Sequence, residues 1–336
     1  MPELVERDAV AKVQDLSSEF VNAESRKYPF TSQVHKGKPP ENAMLEYAVE
    51  KYDVPNNTGA VDEADPQAYS NPSQDDAMLY ARVHTWERAA RIGGHAVTFV
   101  HQAGITPRNV VAKKIAKKLV ELKGDAEFTF LGDQESQVDT GAVGNKTRGL
   151  GKWIQSTAQT HYPVDANYRP PAASIGTTAQ TDYTDQTILD QMQSSYGEHG
   201  DPEAAITIWA GSSWKKVLSR FTFYTRQVAN YTAVRSFNQQ VSNKLNLGKV
   251  DMLETDFGTA TVRLSRFIST AGDHTSAASK LLALGVIDEL IETRWASQPY
   301  AEKLAKTGRN EKFMVTGTGA LCVLNPKPFM AWRPSA

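Results

Sequence analysis

The loop 144–152, which runs from Gly144 to Lys152 with the sequence GNKTRGLGK, comes closest in this chain to a phosphate-binding motif. A phosphate loop needs a lysine directly after the second of two glycines five positions apart, so that backbone amides and the ammonium group converge on one phosphate. Leu150 occupies that position, and Lys146 stands where the glycine paired with Gly151 is required. The spacing favours a structural loop, and an enzyme binding an anionic substrate at Gly144 to Lys152 stays an alternative.

Other residues with useful chemistry are scattered. No two of the seven histidines have the i, i+4 spacing that places metal ligands on one helical face. Ser212 and Ser213 lack the nucleophile-elbow pattern. Asp251, Glu254 and Asp256 fit an acid pair or a hard-metal site, but solvated acids are more common beside a glycine turn. We therefore expect no catalytic residue, no metal site and no cofactor.

The single cysteine, Cys322, excludes an intrachain disulfide and a metal cluster built from cysteines. It lies in the apolar run 320–324, which favours a buried structural thiol over a nucleophile. Gly317 and Gly319 do not continue into a dinucleotide-binding motif, because Cys322 stands where a third glycine must let helix and strand approach.

Composition and charge limit the class of protein. The 336 residues, 40% of them hydrophobic, are enough for one large domain or for two or three small ones. No run approaches the roughly 20 apolar residues that cross a bilayer, so we expect no membrane contact. The 37 basic and 38 acidic side chains balance, but residues 52–81 carry six acids and no lysine or arginine, whereas residues 82–123 carry nine bases and two acids. This asymmetry can attract another copy of the chain, although a charge run taken alone is more often explained by two solvated faces without a partner.

The acidic block lies within a predicted ribbon of two strands. Residues 44–52 alternate, with Leu45, Tyr47 and Val49 on one side, and residues 78–83 and 96–100 read as the return. The intervening stretch 53–76 is too polar to fold alone. Because an isolated two-stranded ribbon is only marginally stable, we expect it to lie on a neighbouring subunit.

A long helix is predicted over residues 105–131. Thr106 can cap it, and Pro107 suits its first turn, where an amide proton has no partner. The helix is amphipathic: an apolar stripe is formed by Val111, Ile115, Leu119 and Leu122, and a basic surface by Lys113, Lys114, Lys117, Lys118 and Lys123. The lysines can contact nucleic acid weakly and without sequence preference, but a solvated surface is the simpler reading.

The remaining elements mix helices and strands without regular alternation, which predicts an α+β fold. The predicted helices cover an amphipathic arm at 4–20, a segment with Ile188, Met192 and Tyr196 that stops at Gly197, and residues 228–245. Residues 214–223 read as a short amphipathic segment. The predicted strands are 205–209, 250–253, 259–267, 312–316 and 320–324.

Short motifs in a characteristic order link the chain to one family. They are 85–86 and 96–98 before the long helix, 118–127 within it, 148–154 after it, and then 197–202, 255–258, 304–308 and 321–326. In this order, from about Leu79 onward, the chain resembles the major capsid proteins of tailed bacteriophages, which have the Hong Kong 97 phage fold. His84, Thr85 and Trp86 depart from the more polar motif expected there.

The resemblance implies the architecture of a shell subunit. Residues 1–40 would form an N-terminal arm and 41–100 an extended loop built as a long β-hairpin. Residues 101–167 and 291–336 would form a peripheral domain with a spine helix at 106–131, and 168–290 an axial domain.

The same resemblance implies that copies of this chain assemble through hexamers and pentamers into an icosahedral shell that encloses a double-stranded DNA genome. It implies a non-enzymatic protein of the virion, assembled in the host cytoplasm, with a portal at one vertex and weak, non-specific contact to packaged DNA. We expect a separate scaffolding protein or none. A phage tail or decoration protein is a further alternative.

We further predict that the acidic tip of the hairpin meets a basic surface of an adjacent subunit. The candidate residues for this contact are Asp62, Glu63, Asp65, Asp75, Asp76, Arg82, Arg88 and Arg91.

Overall fold

The computed structural model describes residues 28–52, 57, 76–94, 107–179, 182–221, 225–228, 231–234, 250–268, 281–306 and 308–333. The predicted arm helix at 4–20 and the predicted strand at 96–100 lie outside these residues. None of the described helices is long and apolar enough to span a membrane.

The α-helices with described bounds are α1 (Pro29–Gln33), α2 (Pro107–Leu131), α3 (Leu150–Trp153), α4 (Asp185–His199) and α5 (Ser212–Phe221). The helix predicted at 105–131 is found as α2. Val111, Ile115 and Leu119 are half-buried and Leu122 is fully buried, whereas the predicted basic surface is exposed except at Lys118. The period of 3.6 residues therefore identified the buried side of the helix correctly.

The strands are β1 (His35–Lys36), β2 (Met44–Val49), β3 (Ala77–Arg82), β4 (His84–Gly93), β5 (Ile175–Gly176), β6 (Ile206–Ala210), β7 (Thr225–Val228), β8 (Tyr231–Val234), β9 (Met252–Thr255), β10 (Gly258–Leu264), β11 (Ala283–Ile287), β12 (Ile291–Leu304), β13 (Asn310–Val323) and β14 (Met330–Trp332). They form a four-stranded sheet in the order β1-β12-β13-β4 and a six-stranded sheet in the order β5-β14-β11-β6-β10-β9. β2 pairs with β3, and β7 pairs with β8, as two-stranded ribbons.

The six-stranded sheet is mixed. β6 runs parallel to β10 and antiparallel to β11, and every residue of β6 and β11 is buried, as expected for central strands. β14 pairs with β11 and β5, so a strand from the segment 291–336 joins a sheet whose other strands lie within 168–290. The mixture of helices with parallel and antiparallel strands confirms the predicted α+β class.

The ribbon predicted at 44–52 and 78–83 is confirmed as β2 and β3, with Met44 opposite Arg82 and Val49 opposite Ala77. Leu45, Tyr47 and Val49 are half-buried, whereas Glu46 and Ala48 are exposed. Alternation with a period of two thus identified the covered face of the strand.

The predicted end of the helix at Gly197 is wrong. α4 continues to His199, and Gly200 ends it in the left-handed conformation at φ 78°. The Gly200 amide donates to the Tyr196 carbonyl at 2.7 Å. A C-terminal cap needs this conformation, which glycine adopts without strain, and the cap falls at the second of the two glycines.

The helix predicted at 228–245 is also wrong where the structure describes it. Residues 225–228 and 231–234 form the antiparallel pair β7 and β8, with Val228 opposite Tyr231. β-branched and aromatic residues at Thr225, Val228, Tyr231 and Val234 favour strands and outweigh the helical spacing.

The two short strands predicted at 312–316 and 320–324 are one continuous strand, β13. Gly317 and Gly319 lie inside it. A Cβ at Gly319 would lie 2.9 Å from the Trp295 ring, so this glycine permits close packing of an aromatic ring and does not mark a break.

The chain forms two compact units. The described residues of the smaller unit fall within Glu87–Leu122 and Pro299–Thr316, and those of the larger unit within Tyr28–Trp86, Lys123–Gln298 and Gly317–Ala336. Aromatic side chains fill the core of the larger unit, including Phe30, Phe130, Trp209, Trp214 and Trp332. The division of the chain into arm, extended loop, peripheral domain and axial domain remains a prediction.

Candidate functional site

Several backbone amides of the loop 144–152 are hydrogen-bonded within the protein and so are not available to a phosphate. The Gly149 amide donates to the Gln134 carbonyl at 3.0 Å, and the Gly151 amide donates to the Gly132 carbonyl at 3.1 Å. The Lys152 amide donates to the Gly149 carbonyl at 3.0 Å, within the single turn of α3. These amides are therefore engaged by the protein itself, which further weakens the alternative of an anionic substrate at this loop.

Arg148, at the centre of this loop, is buried with 1% of its surface exposed. Its Nε lies 3.1 Å from Glu135 Oε1, and its Nη2 donates to the carbonyls of His161 and Tyr162, the latter at 2.8 Å. The guanidinium carbon lies 4.7 Å from the centre of the Trp153 ring. Burial lowers the pKa of Arg148, and the neighbouring Glu135 carboxylate opposes that shift. The side chain is thus an internal link of the fold.

Close packing explains two glycines of the loop. A Cβ at Gly149 would overlap the carbonyl oxygen of Gly132, and a Cβ at Gly151 would lie 2.5 Å from a methyl carbon of Leu281. Backbone crowding therefore requires glycine at Gly149, whereas a larger residue at Gly151 would have to displace the Leu281 side chain.

The other chemically interesting residues are spread apart. Cys322 is fully buried, and burial raises its pKa to about 12, as expected for an inert thiol. Asp251 pairs with Lys215 at 3.0 Å, and Glu254 and Asp256 are exposed. Within the described part of the chain, no group of three His, Cys, Asp or Glu side chains is arranged to hold a metal ion.

The base of the ribbon is fastened to its own chain. The Tyr47 hydroxyl donates to the Val323 carbonyl at 2.7 Å, and the Tyr168 hydroxyl donates to the Val49 carbonyl at 3.2 Å. On β3, Leu79 is 1% exposed. The expectation that the ribbon lies on a neighbouring subunit can therefore apply only beyond this base.

Four of the eight predicted contact residues lie within the described part of the chain. Asp76 is exposed directly before β3, and Arg88 and Arg91 are exposed on β4, whereas Arg82, at the end of β3, is 8% exposed. Arg88 helps to lower the pKa of Glu121: partial burial alone would raise that pKa, and Lys118, Arg88 and Lys117 outweigh the burial. The other four, Asp62, Glu63, Asp65 and Asp75, lie outside the described residues. The proposed contact among these residues stays a prediction.

Arg82 joins the ribbon to two loops of the larger unit. Its Nη1 donates to Asn145 Oδ1 at 3.1 Å, and its Nη2 donates to the Tyr162 hydroxyl at 3.0 Å and approaches Met44 Sδ at 3.4 Å. The guanidinium carbon lies 5.4 Å from the centre of the Tyr162 ring. Arg82 therefore already has partners within its own chain.

The sequence reading missed the role of Glu127, a buried carboxylate on α2. It accepts hydrogen bonds from the Phe30 amide at 3.1 Å, the Thr31 amide at 2.9 Å and the Thr31 hydroxyl at 3.0 Å. Burial raises the pKa of Glu127, and these hydrogen bonds oppose the rise. The available signal was an acid three residues before the buried Phe130, on the apolar side of α2. Glu127 fastens residues 30–31 to the helix.

A family model described as SU10 major capsid protein matches residues 5–333. The capsid of a native GTA particle, computed with C5 symmetry, superposes with a TM-score of 0.60 at 12% identity over 96% of each chain. The structure from Gordonia phage Cozz has a TM-score of 0.54 at 9% identity over 99% of each chain. The capsid of Myoviridae phage XM1 has a TM-score of 0.54 at 11% identity over 99% of each chain. No curated protein sequence matches the chain.

The solved structures share so little sequence with the chain that they show the fold alone, and that fold is the predicted one, the phage major capsid fold. The family match spans nearly the whole chain and names the capsid itself, which argues against a tail or decoration protein. This chain has the fold of phage capsid chains and belongs to the SU10 major capsid protein family.

Proposed function

We propose that copies of the chain form hexamers and pentamers that close into an icosahedral shell around a double-stranded DNA genome. The observation that carries this proposal is the family match over residues 5–333. The fold shared with capsid chains over nearly their full length supports it. Each contact between subunits can be weak, because repetition within and between rings stabilises a closed shell collectively.

In this proposal the segment between β2 and β3 makes the contact to the adjacent subunit. Its base is fixed by Tyr47 and Tyr168, so the intervening residues start from a defined place. Their acids would meet basic residues of the neighbour, with Arg88 and Arg91 as exposed candidates on β4. Residues 1–40 would act as the arm, and residues 168–290 would gather around the symmetry centres.

The proposal assigns the chain a structural role without catalysis or cofactor. Exposed lysines of α2, including Lys114 and Lys117, would contact packaged DNA weakly through its phosphates. Assembly would take place in the host cytoplasm, with a portal at one vertex and with a separate scaffolding protein or none.

Electron microscopy of the purified full-length chain tests the proposal. We expect closed shells of uniform size from the wild type. Deleting residues 59–73 should leave folded subunits that do not close, and a variant with a Gly/Ser linker of equal length separates loss of the acids from loss of length. Monomeric wild-type chains would contradict shell formation, and normal shells from the deletion variant would contradict the role of the ribbon tip.

A further inference from the structure

Tyr162 has an unusual backbone conformation. It is the one non-glycine residue with positive φ among the residues that the structure describes, at φ 50°. An aromatic residue in the left-handed region is rare, because its Cβ crowds the backbone, and such a conformation persists only where the surroundings impose it. The structure must therefore contain groups that hold Tyr162 in place.

Arg148 is the group that holds the backbone. Its Nη2 donates to the carbonyls of both His161 and Tyr162. Glu135 fixes Arg148 through Oε1 at 3.1 Å and accepts the Thr160 amide through Oε2 at 3.3 Å. The buried pair of Arg148 and Glu135 thus ties down three consecutive residues, 160–162: Arg148 binds the last two and Glu135 the first.

The imposed conformation presents the Tyr162 side chain to the ribbon. Its ring centre lies 5.4 Å from that of Tyr80, and its hydroxyl accepts a hydrogen bond from Arg82 at 3.0 Å. Tyr80 and Arg82 are two apart on β3, so both project from the same face of the strand. One strained residue therefore contacts one face of the ribbon twice.

Burial of the Arg82 guanidinium at this contact costs desolvation energy. It is 8% exposed, and its described partners, the Asn145 amide oxygen, the Tyr162 hydroxyl and the Met44 sulfur, are all neutral. A buried guanidinium without a nearby carboxylate loses its hydration energy and gains little Coulombic energy in exchange. The guanidinium holds several hydrogen-bond donors in one fixed plane, which the ammonium of lysine does not. Arginine therefore suits a position where the side chain fixes the geometry of a contact.

We propose that Tyr162 and Arg82 form a clamp that sets the direction of the ribbon relative to the rest of the larger unit, and so determines where residues 53–75 meet a neighbouring subunit. Both are positioning residues for assembly. The assembly half of this inference rests on the proposed function, whereas the clamp itself does not.

Hydrogen exchange of the full-length chain tests the clamp independently of shell formation, with particles or subunits compared in the same state. In Tyr162→Phe and Arg82→Met we expect exchange of the ribbon amides 77–82 to rise about five- to tenfold, as for the loss of one or two hydrogen bonds. The amides of β6, residues 206–210, should not change. Tyr183→Phe is the matched control, because the Tyr183 hydroxyl donates to the Arg333 carbonyl and not to the ribbon.

Tyr162→Gly separates the clamp from the strained turn. Glycine adopts φ 50° without strain, so a tyrosine that is only a turn residue would be replaced without harm. The clamp predicts faster ribbon exchange in Tyr162→Gly despite the easier turn. Unchanged ribbon exchange in all three variants, or an equal rise in β6 or in Tyr183→Phe, would overturn the clamp.

Particle diameters measured by electron microscopy test the assembly half. With the ribbon loosened, we expect a several-fold lower yield of closed shells and a broader range of diameters in Tyr162→Phe and Arg82→Met, but not in Tyr183→Phe. A loosened ribbon with normal shells would overturn the positioning role. A wild type that forms no shells would contradict the proposed function and overturn the assembly half. The exchange data test the clamp in either case.

Discussion

Arg148 and Arg82 are both buried in the larger unit, at 1% and 8% exposure, but their surroundings differ. Arg148 lies against the Glu135 carboxylate and two backbone carbonyls. Arg82, at the end of β3, lies against neutral acceptors and the Tyr162 ring. The first arrangement is a charge pair that stabilises a loop. The second is a contact through neutral groups that fixes the position of a ribbon relative to a loop.

The difference teaches how to separate residues needed for folding from residues needed for assembly. Removing one member of a buried charge pair leaves the other charge without its partner, which is strongly destabilising. When a buried charge has only neutral partners, its removal leaves no opposite charge without a partner. Substitutions at the two arginines should therefore have effects of different size and on different measurements.

The largest effect is expected from Arg148→Met. The substitution removes the partner of Glu135 and both bonds to the 161–162 backbone, so the free energy of unfolding should fall by about 3 kcal/mol. Denaturant unfolding followed by circular dichroism measures this fall. A loss below about 1 kcal/mol would show that Arg148 and Arg82 do not differ as described.

His84, two residues after Arg82, predicts a pH effect. Burial first, and then the charge of Lys146, lower its pKa to about 4. The unfolded chain binds a proton near pH 6.5 and the folded chain only near 4, so stability present above pH 6.5 is lost as the pH falls through this window.

The loss attributable to His84 should reach about 2 kcal/mol between pH 7 and pH 4, as the difference between the wild type and His84→Gln. Urea unfolding across that range measures it. Equal pH dependence in both proteins would show that the region beside Arg82 tolerates a further positive charge.

Arg82→Met should change the free energy of unfolding by no more than about 1 kcal/mol. The lost hydrogen bonds to Asn145 and Tyr162 are partly offset by the removed desolvation of a guanidinium, and the methionine fills similar volume. The same unfolding measurement as for Arg148→Met provides the comparison. A fall as large as that of Arg148→Met would contradict a mainly geometric role.

The smallest effect is expected from Lys152→Met. Lys152 Nζ approaches Glu135 Oε2 at 3.9 Å, but both side chains are partly exposed. Because water screens such a pair, the change in unfolding free energy should stay within about 0.5 kcal/mol. This variant shares Glu135 with Arg148→Met and so isolates the effect of burial. A loss above 1 kcal/mol would mean that Glu135 depends on both cations equally.

Local patterns predicted the elements that obey a single period over many residues. α2 has a helical stripe ending at Leu122, and β2 alternates around Tyr47. Such patterns depend on neighbouring positions alone. The prediction failed at 228–234, where helical spacing and strand-forming residues disagree, and at Gly319, whose role depends on the distant Trp295.

The loop 144–152 shows the same limit for the site. Its spacing alone already argued against a phosphate loop, because Leu150 replaces the required lysine. What the loop does instead depends on partners from 132–135 and 161–162, which no local motif indicates. Glu127 was missed for the same reason, since its donors lie about a hundred residues earlier, at Phe30 and Thr31.

By itself, the sequence determined the α+β class, the long helix, the ribbon and, through ordered motifs, the resemblance to phage capsid proteins, because these depend on periodicity and on the order of segments along the chain. The tertiary structure alone decided that, among the described residues, Arg148 lies against a carboxylate and Arg82 against neutral acceptors, and that Tyr162 contacts both arginines. Whether a buried charge finds a partner depends on which distant segments the fold brings within about 3 Å, and that distance is not written in the spacing of the residues.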